Sequence, residues 1–462
     1  MDIGMIGMAV MGSGLALNLE SKGYSVAVYD KFSALLHRFE QGAGAGKGFV
    51  CCETLPQLVA ALKKPRVVML MVRAGDPVDE LTAALLELLE PGDVLIDGGN
   101  SWFKDTVRRI RLCREKGVHF VGAGISGGEH GARNGPSIMV GGAAEAYEVI
   151  REMLCRIAAK SPSGEPCCQW VGREGAGHYV KMVHNGIEYA SMQAICETYH
   201  GLRTLNGLDN EQIANLFRQW HGEELSTYLV DITARVLPVG DEKGSYVERI
   251  LDAAGQKGTG KWTSQEALDL GVAIPTITES VFLRYLSAGY EQRRKAAKEL
   301  APAVLEMSAP KPEDWKQALY ACTLLAYEQG FALLEAAEQA YGWDIDLTAA
   351  AKSWESGCIL QSGFLGEISA FYAGAAGEDR LLTSDFYANA LAQSVPSLRR
   401  VLMACTAQGV PAPAHSSGLA YYDASRCARL PVNLLQAQRD YFGAHTVRFT
   451  DDPTAEGVHL PW

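Results

Sequence analysis

The segment Lys181-Met182-Val183-His184-Asn185-Gly186-Ile187-Glu188-Tyr189 holds the densest set of groups able to do chemistry. On a helix, at about 100° per residue, Lys181, His184, Asn185 and Glu188 share one face at i, i+3, i+4 and i+7. A lysine of lowered pKa serves there as a general base and a glutamate as a general acid, with histidine and asparagine orienting a polar substrate. The alternative for the same spacing is a solvated face that caps or pairs with its neighbours. A second set is Gly7-Met8-Ala9-Val10-Met11-Gly12, a dinucleotide fingerprint in which Ala9 replaces the middle glycine. Glycines at such a turn let backbone amides at a helix start approach a pyrophosphate. Asp30 follows about 20 residues later, where a carboxylate hydrogen-bonds the adenine ribose hydroxyls of NAD and repels the extra phosphate of NADP. Lys31 and Arg73 carry charge that offsets that repulsion.

Each of these groups needs an element to hold it. Short β-branched runs at residues 2–6, 24–29, 67–72, 94–97 and 119–121 read as buried parallel strands separated by amphipathic helices, a doubly wound α/β pattern. The fingerprint then lies between the first strand and a helix that Gly23 caps. Asn100 and the loop Ser126-Gly127-Gly128-Glu129 follow later strands at the same carboxyl edge, where ligands of such folds bind. After about Gly177 the strand signals fade, and residues 179–205, 211–237 and 315–341 show helical spacing. The chain thus reads as a Rossmann-like domain over residues 1–176, a large all-α domain over 177–432 and a tail over 433–462 that ends without an obvious helix.

The helical part contains a suggestion of duplication. Tyr189-Ala190 with Glu197 matches Tyr320-Ala321 with Glu328, and Gly207, Asp209 and Trp220 answer to Gly342, Asp344 and Trp354. Residues 256–262, Gln-Lys-Gly-Thr-Gly-Lys-Trp, lack the glycine spacing of a phosphate loop, which argues against nucleoside triphosphate hydrolysis.

Composition narrows the remaining classes. A net charge of −12 over 462 residues disfavours nucleic acid as a partner, while leaving room for a local basic pocket. Eleven dispersed cysteines with no CxxC pair point to reduced thiols in the cytoplasm and to no metal site. No apolar run is long enough to cross a membrane.

Over nearly its whole length the sequence resembles the decarboxylating 6-phosphogluconate dehydrogenases. The resemblance is carried by residues 7–12, 96–101, 126–129 with 131–133, 181–189, 254–262 and 438–445. It implies a homodimer with exchanged tails and metal-free oxidation of 6-phosphogluconate to ribulose 5-phosphate and carbon dioxide in the pentose phosphate pathway. By position Lys181 would be the base and Glu188 the acid. Asn100, Ser126, Gly127, Gly128, His184, Asn185 and Tyr189 would hold the sugar acid. Lys257 and Arg284, with Arg439 and His445 of the partner subunit, would bind its phosphate. The cofactor would meet Gly7, Met8, Ala9, Val10, Met11, Gly12, Asp30, Lys31, Phe32, Val72, Arg73, Ala74 and Asn100. Asp30-Lys31-Phe32 departs from the Asn-Arg-Thr of NADP-using members, so Asp30 favours NAD. Two rival readings are another β-hydroxyacid dehydrogenase, opposed by the basic set, and a non-catalytic NAD-binding redox sensor, opposed by the complete Lys181, Asn185 and Glu188 set.

Overall fold

The computed structural model describes residues 1–301, 303–374 and 379–462. Strands β1 (Ile3–Ile6), β2 (Val26–Tyr29), β3 (Phe49–Cys51), β4 (Val67–Leu70), β5 (Val94–Asp97), β6 (His119–Ser126), β7 (Ser137–Gly141) and β8 (Cys168–Gly172) form one sheet. Its order is β3-β2-β1-β4-β5-β6-β7-β8, parallel throughout except where β7 runs antiparallel to β6. The five expected strands all form, that at 94–97 with the expected bounds and the others with shifted ends; β3, β7 and β8 extend the sheet at both edges.

Side-chain alternation sends β1 into two cores. Ile3 and Met5 pack with Leu15 and Leu19 of α1 (Val10–Ser21), Leu36 and Phe39 of α2 (Ser33–Gln41) and Ile150 and Leu154 of a later helix. Ile6 faces the other way, with Leu58 of α3 (Leu55–Ala60), Leu85 of α4 (Asp76–Leu86) and Ile110 of α5 (Phe103–Glu115). Helices α6 (Gly128–Asn134) and α7 (Ala144–Ile157) flank the antiparallel pair. A strand buried on both faces needs apolar residues throughout, which is why the parallel strands read as continuous runs.

The helical region begins with α8 (Ala176–Thr204), α9 (Asn210–His221) and α10 (Tyr228–Val236). The stretch 211–237 is thus two helices, broken between His221 and Thr227, whose hydroxyl caps α10. A small hairpin, β9 (Gly240–Asp241) and β10 (Gly244–Ser245), interrupts the helices before α11 (Tyr246–Arg249). Next come α12 (Thr259–Leu270), α13 (Pro275–Ala288), α14 (Tyr290–Glu299), α15 (Pro312–Tyr341), α16 (Leu347–Trp354), α17 (Leu365–Gly374), α18 (Asp385–Gln408), α19 (Pro413–Ser425) and α20 (Val432–Gly443). Among the described residues no helix is long and apolar enough to cross a membrane.

The duplication is visible in the caps. Gly271 and Gly409, both at φ +67°, end α12 and α18, and the amides of Val272 and Val410 reach back to Ala267 and Cys405. Pro275 and Pro413 then open α13 and α19. The amide of Thr276 donates to Gln329 of α15 at 3.0 Å, and the amide of Ala414 donates to Glu197 of α8 at 2.9 Å. Each long helix therefore holds the start of a proline-opened helix of the other half. One expected match fails: Asp209 caps α9, but α16 is capped by Asp346, while Asp344 takes a left-handed turn and pairs with Arg173.

The chain divides into two compact units, residues 1–418 and 419–462, each described by itself. In the second unit α20 corrects the expectation of a tail without a helix. Val432, Leu434, Leu435, Tyr441 and Phe442 are all exposed, so α20 has no buried apolar stripe to announce it.

Candidate active site

Helix α8 lies directly on the end of the sheet because glycines let two backbones touch. A Cβ on Gly124 of β6 would come within 2.3 Å of the Lys181 side chain, and one on Gly122 within 2.8 Å of His178. A Cβ on Gly141 of β7 would come within 2.1 Å of the Gly177 amide. This contact presents one face of α8 to the loop after β6.

On that face His184 is fully buried, with its Nδ1 at 3.1 Å from Asn185 Oδ1 and its Nε2 at 3.4 Å from Ser126 Oγ. A neutral imidazole that donates from Nδ1 and accepts at Nε2 satisfies both contacts. Lys181 Nζ lies 3.4 Å from the same Nδ1, and a Glu188 carboxylate oxygen lies 3.8 Å from it. Burial lowers the Lys181 pKa, with the Glu188 charge opposing. Burial and the Lys181 charge push His184 well below its usual range. Burial raises Glu188, opposed by Lys181 and Arg284. Burial thus moves the amine towards its neutral form and the carboxyl towards its acid form, some two turns apart on one helix.

Gly127 and Gly128 are both left-handed, at φ +117° and +60°. A Cβ on Gly127 would come within 2.6 Å of the Gly357 carbonyl, so only glycine fits. Across the site, Arg284 of α13 stacks on the Tyr189 ring at 3.4 Å and donates to the Gly255 carbonyl at 2.9 Å. That bond tethers the loop that carries Lys257, which is exposed. Arg439 and His445 belong to the second unit; there Arg439 donates to Gln436, and the His445 ring packs by Phe442.

The cofactor candidates gather at the carboxyl ends of β1, β2, β4 and β5. Gly7 is left-handed at φ +98°, and a Cβ on Gly12 would sit 1.8 Å from its carbonyl, so the turn closes only with glycine. Ala9 is the N-cap of α1 and contributes no side-chain cap, and Ala9 and Val10 are both exposed, so the start of α1 is open to solvent beside this turn. This cradle fits a dinucleotide pyrophosphate. Asp30 is buried, accepting from the Met8 amide at 2.6 Å and from the Phe32 amide at 2.8 Å. Phe32 and Lys31 are exposed, and Lys31 pairs with Glu80 at 3.5 Å. Val72 and Ala74 are half-buried beside exposed Arg73, and Asn100 is exposed after β5.

Sequence reasoning missed the group behind these loops. Arg109 of α5 is fully buried, donates to Asp79 at 2.8 Å and to the Gly75 carbonyl at 3.1 Å, and lies 3.5 Å from Asp97. Asp97 in turn accepts from the Gly99 amide and the Ser101 hydroxyl. Arg109 therefore ties the loop after β4 to the loop carrying Asn100. A signal existed: Thr106, Arg109, Ile110 and Cys113 form one buried stripe of α5, an odd place for a surface arginine. Among the described residues no three His, Cys, Asp or Glu side chains gather as metal ligands.

Residues 2–172 match the model of the NAD binding domain of 6-phosphogluconate dehydrogenase, and residues 177–462 match that of its C-terminal domain. The chain is 46% identical over its whole length to 6-phosphogluconate dehydrogenase, decarboxylating, of Haemophilus influenzae, covering 96% of that protein. It is 47% identical over its whole length to the enzyme of Bacillus subtilis named NADP(+)-dependent and decarboxylating, covering 99% of it. Its fold superposes on Plasmodium falciparum 6-phosphogluconate dehydrogenase, solved in apo form, with its cofactor NADP+ and with its substrate 6-phosphogluconate, at a TM-score of 0.95, 37% identity and full coverage of both chains. A sheet with a glycine cradle, a Lys-His-Asn-Glu face on the helix packed against that sheet and full-length similarity together place this chain in the 6-phosphogluconate dehydrogenase family.

Proposed function

We propose that this protein oxidises and decarboxylates 6-phosphogluconate to ribulose 5-phosphate and carbon dioxide, with a nicotinamide dinucleotide as hydride acceptor. The observation that carries the reading is the buried face of α8, where Lys181 is pushed towards its neutral form and Glu188 towards its acid form. A dinucleotide held by the Gly7–Gly12 turn would supply the acceptor for the hydride that leaves C3 of the sugar acid. Lys181 takes the C3 hydroxyl proton, and the resulting ketone is the electron sink that lets the carboxylate leave without a metal. As an ammonium, Lys181 then stabilises the developing enolate oxygen. Glu188 delivers a proton to C1 of the enediol. His184, Asn185, Asn100, Tyr189 and the Ser126-Gly127-Gly128 loop orient the sugar acid, and Lys257 and Arg284 receive its phosphate. That cationic set disfavours an unphosphorylated β-hydroxyacid as substrate.

In this reading residues 1–176 bind the cofactor, 177–432 bind substrate and the second subunit, and 433–462 reach across a homodimer, so that Arg439 and His445 complete the phosphate site of the other copy. Exposed apolar side chains support association: Phe282, Tyr285 and Leu286 on α13, and Leu434 and Phe442 on α20. Mixing inactive Lys181→Met chains with inactive Arg439→Ala chains should restore activity through heterodimers with one intact site. Subunit exchange without recovery would refute the shared site. Eleven cysteines without a disulfide support a cytoplasmic setting.

NAD is the preferred cofactor in this reading. Asp30 places a buried carboxyl group at the end of β2, where a 2′-phosphate would come close, and Lys31, which would offset it, is turned to Glu80. Phe32 offers no hydroxyl. Assays of 6-phosphogluconate with each cofactor test both the reaction and this preference. Efficiency should be higher with NAD, and Asp30→Asn should shift it towards NADP by about 10-fold, equivalent to about 1.4 kcal/mol. A wild-type NADP preference unmoved by the substitution would refute the role of Asp30, and turnover with neither cofactor would refute the reaction.

A further inference from the structure

The second unit contains a carboxylate that neither the chemistry nor the phosphate site accounts for. Asp440, next to Arg439 in the last turn of α20, is fully buried, although Tyr441 and Phe442 beside it are 71% and 72% exposed. Its Oδ1 accepts from the Thr446 amide at 2.8 Å and lies 3.0 Å from His459 Nδ1. Its Oδ2 accepts from the Leu460 amide at 2.9 Å and from the Trp462 indole N–H at 2.8 Å. Burial alone would raise its pKa, but the donors of Leu460, His459, Trp462 and Thr446 together hold it well below the carboxylate range.

These bonds surround His445. The chain turns sharply through Ala444 and Thr446, both non-glycine residues in the left-handed region at φ 51° and 58°. Such a conformation is costly for a β-branched residue and persists only where its surroundings over-determine it. Here they do: the Thr446 amide is held by Asp440, and its carbonyl accepts from Gln436 at 2.7 Å. Reciprocal backbone bonds between Val447 and Val458 close the loop 447–458 and return residues 459–462 to Asp440. The His445 ring packs so tightly on Gly443 that a Cβ there would come within 2.8 Å of it.

We propose that Asp440 is a positioning residue for phosphate recognition. By clasping Thr446 on one side and His459, Leu460 and Trp462 on the other, it fixes the imidazole of His445 and the base of Arg439 as a preformed receptor for the substrate phosphate. The inference rests on the proposed phosphate role of His445 and Arg439. A negative group one residue from an anion receptor is tolerable because its four donors absorb its charge, so it acts on geometry and not by contact with the anion.

The test uses the full chain and four variants: Asp440→Asn, Trp462→Phe, His459→Ala and, as reference, His445→Ala. Asp440→Asn should raise KM for 6-phosphogluconate by about 10-fold or more, and raise the inhibition constant of inorganic phosphate in parallel. The KM for the cofactor and kcat should stay within about 2-fold. Trp462→Phe and His459→Ala, which each remove one donor, should move the same two constants in the same direction by less. They carry the test if Asp440→Asn does not fold. If His445→Ala raises KM while the clasp variants leave it unchanged, the positioning role is overturned alone. Variants that raise cofactor KM and lower kcat as much as they weaken phosphate would overturn it in favour of a general structural role. If His445→Ala leaves KM unchanged, the phosphate reading itself fails and takes this inference with it.

Discussion

Helices α8 and α15 are each close to thirty residues long, buried along most of their length, and packed against each other. Close contact is permitted by Gly330 of α15, where a Cβ would meet Ile187 at 2.4 Å, and by Gly201 of α8, where it would meet Trp315 at 2.0 Å. Aligning Tyr189 with Tyr320 sets Lys181, His184, Asn185 and Glu188 against Pro312, Trp315, Lys316 and Leu319. In α15 those positions do structural work: Trp315 and Leu319 are core, and Lys316 pairs with Glu223, Glu224 and Glu313. The two helices share a frame and a capping role, yet only α8 turns a face to the carboxyl edge of the sheet. Reactivity in this fold comes from what a helix face meets, since the frame itself is common to both.

The sharpest way to break that comparison is to exchange the fates of the two lysines. Lys181→Met should cut kcat by about 10²-fold to 10⁴-fold, the range for loss of a positioned base, with cofactor binding and fold intact. Lys316→Met should leave kcat unchanged and lower the melting temperature. Comparable turnover in the two variants would erase the distinction between the helices.

The shared capping role is tested by stability. Glu197→Ala removes the acceptor for the Ala414 and His415 amides and for His415 Nδ1, at 2.9, 3.1 and 2.8 Å. Leaving those buried groups unpaired should cost about 3 kcal/mol in chemical denaturation. Gln329→Ala, which frees the neutral Thr276 pair, should cost about 1–2 kcal/mol. Equal and negligible losses would mean that the reciprocal caps are incidental.

The smallest effect is one of pH. Lys181 must lose its proton to act as base, and its lowered pKa moves the acid limb of kcat/KM below the ordinary lysine value of 10.5. Glu188 must hold its proton to act as acid, and its raised pKa moves the other limb above the ordinary 4.5. The acid limb should therefore lie below 10.5 and the alkaline limb above 4.5, and Glu188→Gln should flatten the limb owed to the carboxyl. A profile unchanged in shape by that substitution would remove Glu188 from the proton transfers.

How much of this could be read beforehand depended on whether a pattern was local. The polar face of α8 was legible because helical period alone brings Lys181, His184, Asn185 and Glu188 together. The fingerprint was legible because strand, turn and helix lie within one short segment. Arg109 was not read, because its partners Asp79 and Asp97 come from other elements, and its place in the stripe of Thr106, Ile110 and Cys113 marks it as buried without naming them. Strand β7 escaped because an antiparallel strand after a short helix breaks the alternation of the doubly wound pattern. The match of Asp209 falls on Asp344 in sequence but on Asp346 in structure, because both are aspartates ahead of one helix and only backbone angles distinguish them. Helix α20 was hidden by its exposed apolar residues, which follow no one-sided stripe.

The bare backbone contact between Gly124, Gly141 and Gly177 also bears on how the protein can be rebuilt. With no side chain between the end of the sheet and the start of α8, the first 175 residues cannot be lifted out and replaced as a cassette from a differently packed dehydrogenase. A graft that brought an alanine at Gly141 would force α8 outward, and Lys181 would move with it. Recombination along this chain should therefore succeed at the exposed loop around Gly207 and fail at the junction near residue 176, even though that junction is where the sequence changes character most sharply.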